Sequence, residues 1–216
     1  MSYRHDVFIS YRRQALWTPW TRDHFMALLS TYLQPELGVE PDIFVDERIQ
    51  VGIDWVDELA EHLATSKIMV AIFSGDYFGS DWCLHELDLM LERSTQAAQG
   101  KPKHLPLIVP VVVHDGNLIP QEAKRIQPMD LAKYRIAHIN RDTTDYHDFS
   151  KAIRKLAPDV ALQIKSAPPF DSAWEEQCRK RFNEVYEVNS KGEKLDPSQF
   201  IANRPQPPTI APKLAF

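Results

Sequence analysis

Short unbroken apolar runs alternate with longer segments of helical period from Asp6 to Ala157. Asp6 to Tyr11 reads as a buried first strand opening into the polar Arg12-Arg13-Gln14. Phe25, Leu28, Leu29, Tyr32 and Leu33 recur at helical spacing within Trp20 to Leu33, and Pro35 is expected to end that helix. Asp42 to Asp46 predicts a second strand, and Glu47 to Gly52 a polar loop whose glycine tolerates positive φ. Asp54 then caps a helix from Trp55 to Thr65, with Val56, Leu59, Ala60 and Leu63 facing inward. Ile68 to Ser74 is apolar without alternation, as in a central strand covered on both faces. Gly75 and Gly79 bracket a turn. Leu105 to Val113 predicts a fourth strand, Pro120 to Ile126 a short helix, Met129 to Ile136 a fifth strand and Tyr146 to Leu156 a closing helix. Strand and helix alternating in this way predict an α/β fold, a parallel sheet of about five strands flanked by helices.

Within that frame Ser80-Asp81-Trp82-Cys83-Leu84-His85-Glu86-Leu87 opens the helix after the third strand. Asp81 is the expected N-cap of a helix running to about Thr95. Leu84, Leu87 and Leu91 would face the core, with Met90 at the edge of the stripe. Trp82 and Glu86, four residues apart, share a side of the helix that this pattern puts off the buried stripe. A glutamate in such a place is ordinarily solvated. Its setting argues otherwise, because ligands of parallel α/β sheets bind beyond the carboxyl ends of the strands. Those ends are Ser10 to Arg13, Asp46 to Gly52, Ser74 to Glu86 and His114 to Asn117.

From Ser166 onward the pattern changes: seven of the sixteen prolines fall in the last quarter of the chain. Ser172 and Glu175 have capping-box spacing, and Trp174, Cys178, Phe182 and Val185 form an apolar stripe. The expected organisation is a domain at 1–160 and an extension at 161–216, with an amphipathic helix at about 171–187, then a proline-rich tail; docking on the domain is the favoured place for the helix, with pairing to a partner or leading to a removed segment left open. A net charge of -5 and a pI near 5.9 give no reason to expect nucleic-acid binding. The longest apolar stretch, Leu105 to Val113, is broken by Pro106 and Pro110 and is too short to cross a bilayer. The N-terminal residues lack the apolar run of a signal peptide, so a cytoplasmic location is expected. With only Cys83 and Cys178, neither a disulfide framework nor a metal cluster is indicated, and Cys83 reads as a buried thiol rather than a nucleophile. There is no glycine-rich phosphate loop.

Taken in order, Asp6-Val7-Phe8-Ile9-Ser10-Tyr11, Asp46 to Gly52, Ile68 to Ser74, and the W-C-x-x-E-L motif formed by Trp82, Cys83, Glu86 and Leu87 resemble a Toll/interleukin receptor (TIR) domain over about residues 5–157. The chain looks more like the NAD-cleaving bacterial and plant members than the animal adaptors. The resemblance implies a flavodoxin-like fold and NAD+ as substrate, with no cofactor. It also implies Glu86 as the residue essential for cleaving the nicotinamide–ribose bond. Ser10, Arg12, Asp46 and Trp82 are implied around the NAD pocket, more softly. Chemistry permits so spare a site: an O-glycoside needs a proton donor for its leaving oxygen, whereas nicotinamide departs from its cationic form as a neutral base. One carboxylate can then steady the oxocarbenium charge, Trp82 could face the cationic ring, and Arg12 or Arg13 could hold the pyrophosphate. The family further implies homo-oligomers, through a loop carrying Arg48 and Ile49 beside Trp55, and a role in prokaryotic antiphage immunity. A downstream effector or partner could engage the C-terminal extension. The competing readings are a non-catalytic TIR adaptor, which has no chemical need for Glu86, and a nucleoside-processing enzyme on a similar sheet.

Overall fold

The structure, a computed structural model, describes residues 2–15, 17–45, 55–99, 105–114, 127–135 and 141–191. Asp46, the loop with Arg48 and Ile49, the Asp54 cap, the helix expected at Pro120 to Ile126 and the tail past residue 191 lie outside the described residues. Five strands form one parallel sheet: β1 (His5–Tyr11), β2 (Ile43–Val45), β3 (Ser66–Phe73), β4 (Ile108–Val112) and β5 (Met129–Asp130), in the order β2-β1-β3-β4-β5. Val7, Phe8 and Ile9 of β1 and Ile68 to Ala71 of β3 are buried on both faces, which is why these stretches read as continuous apolar runs. Their register pairs Ile9 with Val45 on one side and Val70 on the other, and Ser10 with Ala71.

The helices are α1 (Trp17–Pro19), α2 (Ala27–Leu37), α3 (Trp55–Ala64), α4 (Asp81–Ala98), α5 (Thr144–Lys165) and α6 (Ala173–Ser190), with a π-helical stretch, Trp20–Met26, joining α1 to α2. The crossover from β1 to β2 steps one way along the sheet and that from β2 to β3 steps back, so right-handed connections put α2 and α3 on opposite faces. α5 packs beside α2. α3 and α4 make the other layer, and α6 lies against both. The strand order reverses at β1, so the crevice for a ligand lies at the carboxyl ends of β1 and β3.

Several elements differ from the sequence reading. α2 continues past Pro35 and ends at Gly38, which takes φ 77° and offers its N–H to Gln34. A proline in the last turn forfeits little of the ladder, and the left-handed glycine makes the actual stop. α5 runs through Pro158 to Lys165 because Val160, Ala161 and Ile164 continue its buried stripe. It thereby crosses the boundary expected at 160. β5 stops at Asp130, whose side chain accepts from the Ala132 N–H and turns the chain into a short 3-10 turn, Ala132–Tyr134.

α6 is held by apolar and charged contacts together. Trp174, Cys178, Phe182 and Val185 are buried, and Arg181 reaches Asp88 and Glu92 of α4. Asp171 accepts from the Ala173 N–H at the start of the helix. Buried Arg93 of α4 donates to the carbonyls of Leu63, Ala64 and Ser66 and to the Tyr3 hydroxyl, with Trp174 over its guanidinium at 4.1 Å. α4 therefore has cover on both sides, and every residue from Cys83 to Met90 is buried.

Candidate active site

The site is built from the end of β1, the turn after β3 and the first turns of α4. Past Phe73 the chain enters a 3-10 turn, Gly75–Gly79, where Ser74 Oγ accepts from the Tyr77 N–H and fixes the turn's entry. This turn drives Tyr77 fully into the interior. A buried phenol needs a partner for its hydroxyl. It finds two: Ser10 Oγ at 2.8 Å and the Cys83 carbonyl oxygen at 3.2 Å. Ser10 Oγ in turn donates to Glu86 Oε2 at 2.5 Å. Ser10 is 1% and Glu86 4% exposed, so this contact lies inside the molecule.

Ser80, not Asp81, caps α4. Its extended backbone (φ -107°, ψ 114°) suits the cap position, and its Oγ accepts from the Cys83 N–H at 3.5 Å. Asp81 is the first helical residue, where its charge favours the helix dipole. Arg12 Nη1 donates to the same Ser80 Oγ at 3.1 Å, which places an exposed guanidinium beside the N-terminus of α4. Guanidinium and helix terminus attract the same ligand, an anion. Trp17 and His114 approach each other to 6.0 Å between ring centroids just beyond the carboxyl ends of β1 and β4.

Glu86, which the helical pattern put off the buried leucine stripe, is itself buried and turned toward Ser10 of β1. Trp82 turns the other way: its ring stacks on Phe182 of α6 (5.8 Å, 11°) and meets Trp55 edge-on (4.6 Å). The structure brings Ser10, Arg12 and Glu86 together around the start of α4 and engages Trp82 with α3 and α6. Tyr77 and Ser80 are functional candidates that the sequence reading passed over. The available signal was an aromatic pair, Tyr77-Phe78, inside a short glycine-flanked turn, where one ring carries a hydroxyl that burial obliges to find a partner.

Burial sets the charge states nearby. Tyr77 is pushed well above 10 by burial and by the thiol of Cys83 and carboxylate of Glu86 near it, so it stays a neutral donor. His85 is drawn down to about 4 by burial and by Arg181, and is neutral at neutral pH. The Cys178 thiol is pushed up to about 12 by burial, which makes it unreactive. Among the described residues no cluster of three or more His, Cys, Asp or Glu is placed to hold a metal ion.

A family model described as TIR domain matches residues 7–144. The chain belongs to the TIR family. Curated relatives from Arabidopsis thaliana match part of this chain. Disease resistance protein RPP2B is 32% identical over 95 residues, 44% of this chain and 7% of its own length. Disease resistance-like protein DSC1 is 37% identical over 87 residues, 40% of this chain and 6% of its own length. Protein PHLOEM PROTEIN 2-LIKE A8 is 35% identical over 82 residues, 38% of this chain and 21% of its own length. The chain thus spans a small part of these relatives. The TIR domains of the activated Roq1 resistosome directly recognizing the pathogen effector XopQ align with TM-score 0.38 and 23% identity, covering 84% of this chain and 99% of that one. The TIR match ends near the start of α5, so α6 and its contacts lie beyond the matched stretch. No described helix is long and apolar enough to cross a membrane.

Proposed function

We propose that this TIR protein is an NAD+ nucleosidase that cleaves the nicotinamide–ribose bond, with Glu86 as the residue attending the reaction. The observation that carries the reading is the Glu86 carboxylate itself, held by Ser10 at the carboxyl edge of the sheet, six residues along the chain from Ser80, on which Arg12 forms the anion-seeking corner. In the reaction the C1′–N bond breaks, its electron pair leaves with the now neutral nicotinamide, and the ribose carbon becomes oxocarbenium-like. Glu86 steadies that positive charge and Arg12 holds the pyrophosphate. Water, a nucleophile within the ADP-ribosyl group, or a nucleophile on a second molecule then bonds to C1′ and loses its proton, giving the linear, cyclic or conjugated product respectively. The products are nicotinamide and linear, cyclic or conjugated ADP-ribose. Asp46 enters this reading as a further residue of the NAD+ pocket; the packing of Trp82 on Phe182 and Trp55 favours a structural role for that ring.

A defence role is supported by the disease-resistance relatives that match part of this chain; we further propose that the role is antiphage immunity and that assembly of several copies completes the site. The alternative is a non-catalytic interaction module. It leaves unexplained why a carboxylate should be buried on a serine at the ligand edge of the sheet. Nicotinamide release from NAD+ by the wild-type chain and its loss in Glu86→Gln test the choice.

A further inference from the structure

Ser10 and Tyr77 form a chain of contacts whose lengths fall in order toward the carboxylate. Tyr77 to the Cys83 carbonyl is 3.2 Å, Tyr77 to Ser10 is 2.8 Å, and Ser10 to Glu86 is 2.5 Å. The two hydroxyls own two hydrogens for these three contacts. With Glu86 ionised, the Ser10 hydrogen goes to the carboxylate and the Tyr77 hydrogen is shared between Ser10 Oγ, at the shorter distance, and the Cys83 carbonyl, at the longer. With Glu86 protonated, all three hydrogens run the opposite way, ending on the Cys83 carbonyl. A length of 2.5 Å at the Glu86 end is that of a charge-assisted O–H···O⁻ bond. The graded lengths match the first arrangement.

We propose that Tyr77 is a positioning residue that acts through Ser10, polarising its hydroxyl so that Glu86 is held in one orientation as the anion. The proposal rests on the reading of Glu86 as the reactive carboxylate and adds the device that keeps it so. Tyr77 does not touch substrate. It sits fully buried behind Ser10, anchored by the turn whose N–H is tied to Ser74. Other groups around this end of α4 are accounted for separately. Cys83 supplies a backbone carbonyl from the helix itself, Arg12 from the loop after β1 is engaged on Ser80, and His114 lies beyond β4 against Trp17. Arg181 of α6 reaches Asp88 and Glu92, and His85 beside it is neutral. In a hydrogen-bond chain each link strengthens the next, and a hydroxyl donating to a charge is worth more than one donating to a neutral group.

The test compares Tyr77→Phe, Ser10→Ala and Ser10→Thr with the wild-type chain, with two readouts. The first is the titration of the Glu86 carboxyl carbon by NMR on protein carrying labelled glutamate, assigned with Glu86→Gln; it needs no activity. The second is the acid limb of nicotinamide release from NAD+. Tyr77→Phe keeps the ring and its packing, so folding is preserved. The expected result is that the Glu86 midpoint rises by about half a pH unit in Tyr77→Phe and by about one to two in Ser10→Ala, while Ser10→Thr restores it. The acid limb of activity should move in step. A Glu86 midpoint unmoved or lowered in Tyr77→Phe overturns the relay, whatever the activity. Shifted midpoints without any nicotinamide release uphold the relay and overturn the reaction assigned to it.

Discussion

Replacing Phe182 by alanine asks whether α6 is part of the fold or a detachable appendage. The Phe182 ring is fully buried and lies 5.8 Å from Trp82 at 11°, between α6 and the outer face of α4. Truncating a buried phenylalanine costs about 3–5 kcal/mol, of which a lost aromatic pair makes up roughly 0.5–1.5 kcal/mol. Against a typical total of about 5–15 kcal/mol for a domain, that is a large share. At about 2–4 °C per kcal/mol for a chain of this size, the melting temperature should fall by roughly 6–20 °C. Urea unfolding followed by tryptophan fluorescence and far-ultraviolet circular dichroism measures the loss, with Leu162→Ala, exposed at 53%, as a control expected to change by less than about 0.5 kcal/mol. Trp82 and Trp174 report on the α6 interface, while circular dichroism follows the whole chain. One shared transition, displaced to lower urea, is the expected outcome. A loss under about 1 kcal/mol, or a fluorescence transition that precedes the rest, would refute the claim that α6 and α4 fold as one body.

His85 makes stability depend on pH. The unfolded chain protonates this histidine near 6.5 whereas the folded chain resists until about pH 4, so the unfolded state binds more protons between those values. Unfolding free energy should therefore fall as pH drops from about 6.5 to 4, by roughly 3 kcal/mol at most, and His85→Gln should remove that part of the slope in a urea series over pH. An unchanged slope would mean that other groups produce it. Trp82→Phe should leave the KM for NAD+ within about twofold, whereas Arg12→Ala should raise it about tenfold, the equivalent of one charge-assisted bond of roughly 1.4 kcal/mol. Steady-state kinetics checks both, and a large KM effect from Trp82→Phe would return that ring to the pocket.

The parallel sheet was legible because β1 and β3 are buried on both faces and carry no polar alternation to confuse the period. The placement of Ser10, Arg12 and the start of α4 at one edge followed from reading the strands as parallel, which puts all their carboxyl ends on the same side. What periodicity missed was the orientation of Glu86. A stripe of leucines predicts one buried face, but α4 is covered on two, and the second cover comes from α6, far along the chain. Hence Glu86 and Trp82, close in angle on the helix, bury against different neighbours: Ser10 for one, Phe182 and Trp55 for the other. Asp81 and Ser80 are both good caps by residue type, and only the extended backbone of Ser80 separates them. Pro35 misplaced one helix end because a proline in the last turn forfeits little of the ladder, and the closing helix runs past Leu156 because Val160, Ala161 and Ile164 extend its buried stripe. Tyr77 was hidden for another reason. A turn between glycines reads as surface, and nothing local announces that its phenol reaches back to β1.

The measurement that tests the central claim most directly is a mass-resolved assay of NAD+ products over a series of protein concentrations, comparing wild type with Glu86→Gln of confirmed fold. The account predicts nicotinamide release per subunit that rises with concentration and falls at least about a hundredfold in the variant, on the order of 2.7 kcal/mol of lost transition-state stabilisation. The mass of the accompanying ADP-ribose product would then distinguish hydrolysis from cyclisation or conjugation. Equal release from both proteins, or none from the wild type at any concentration, would contradict it.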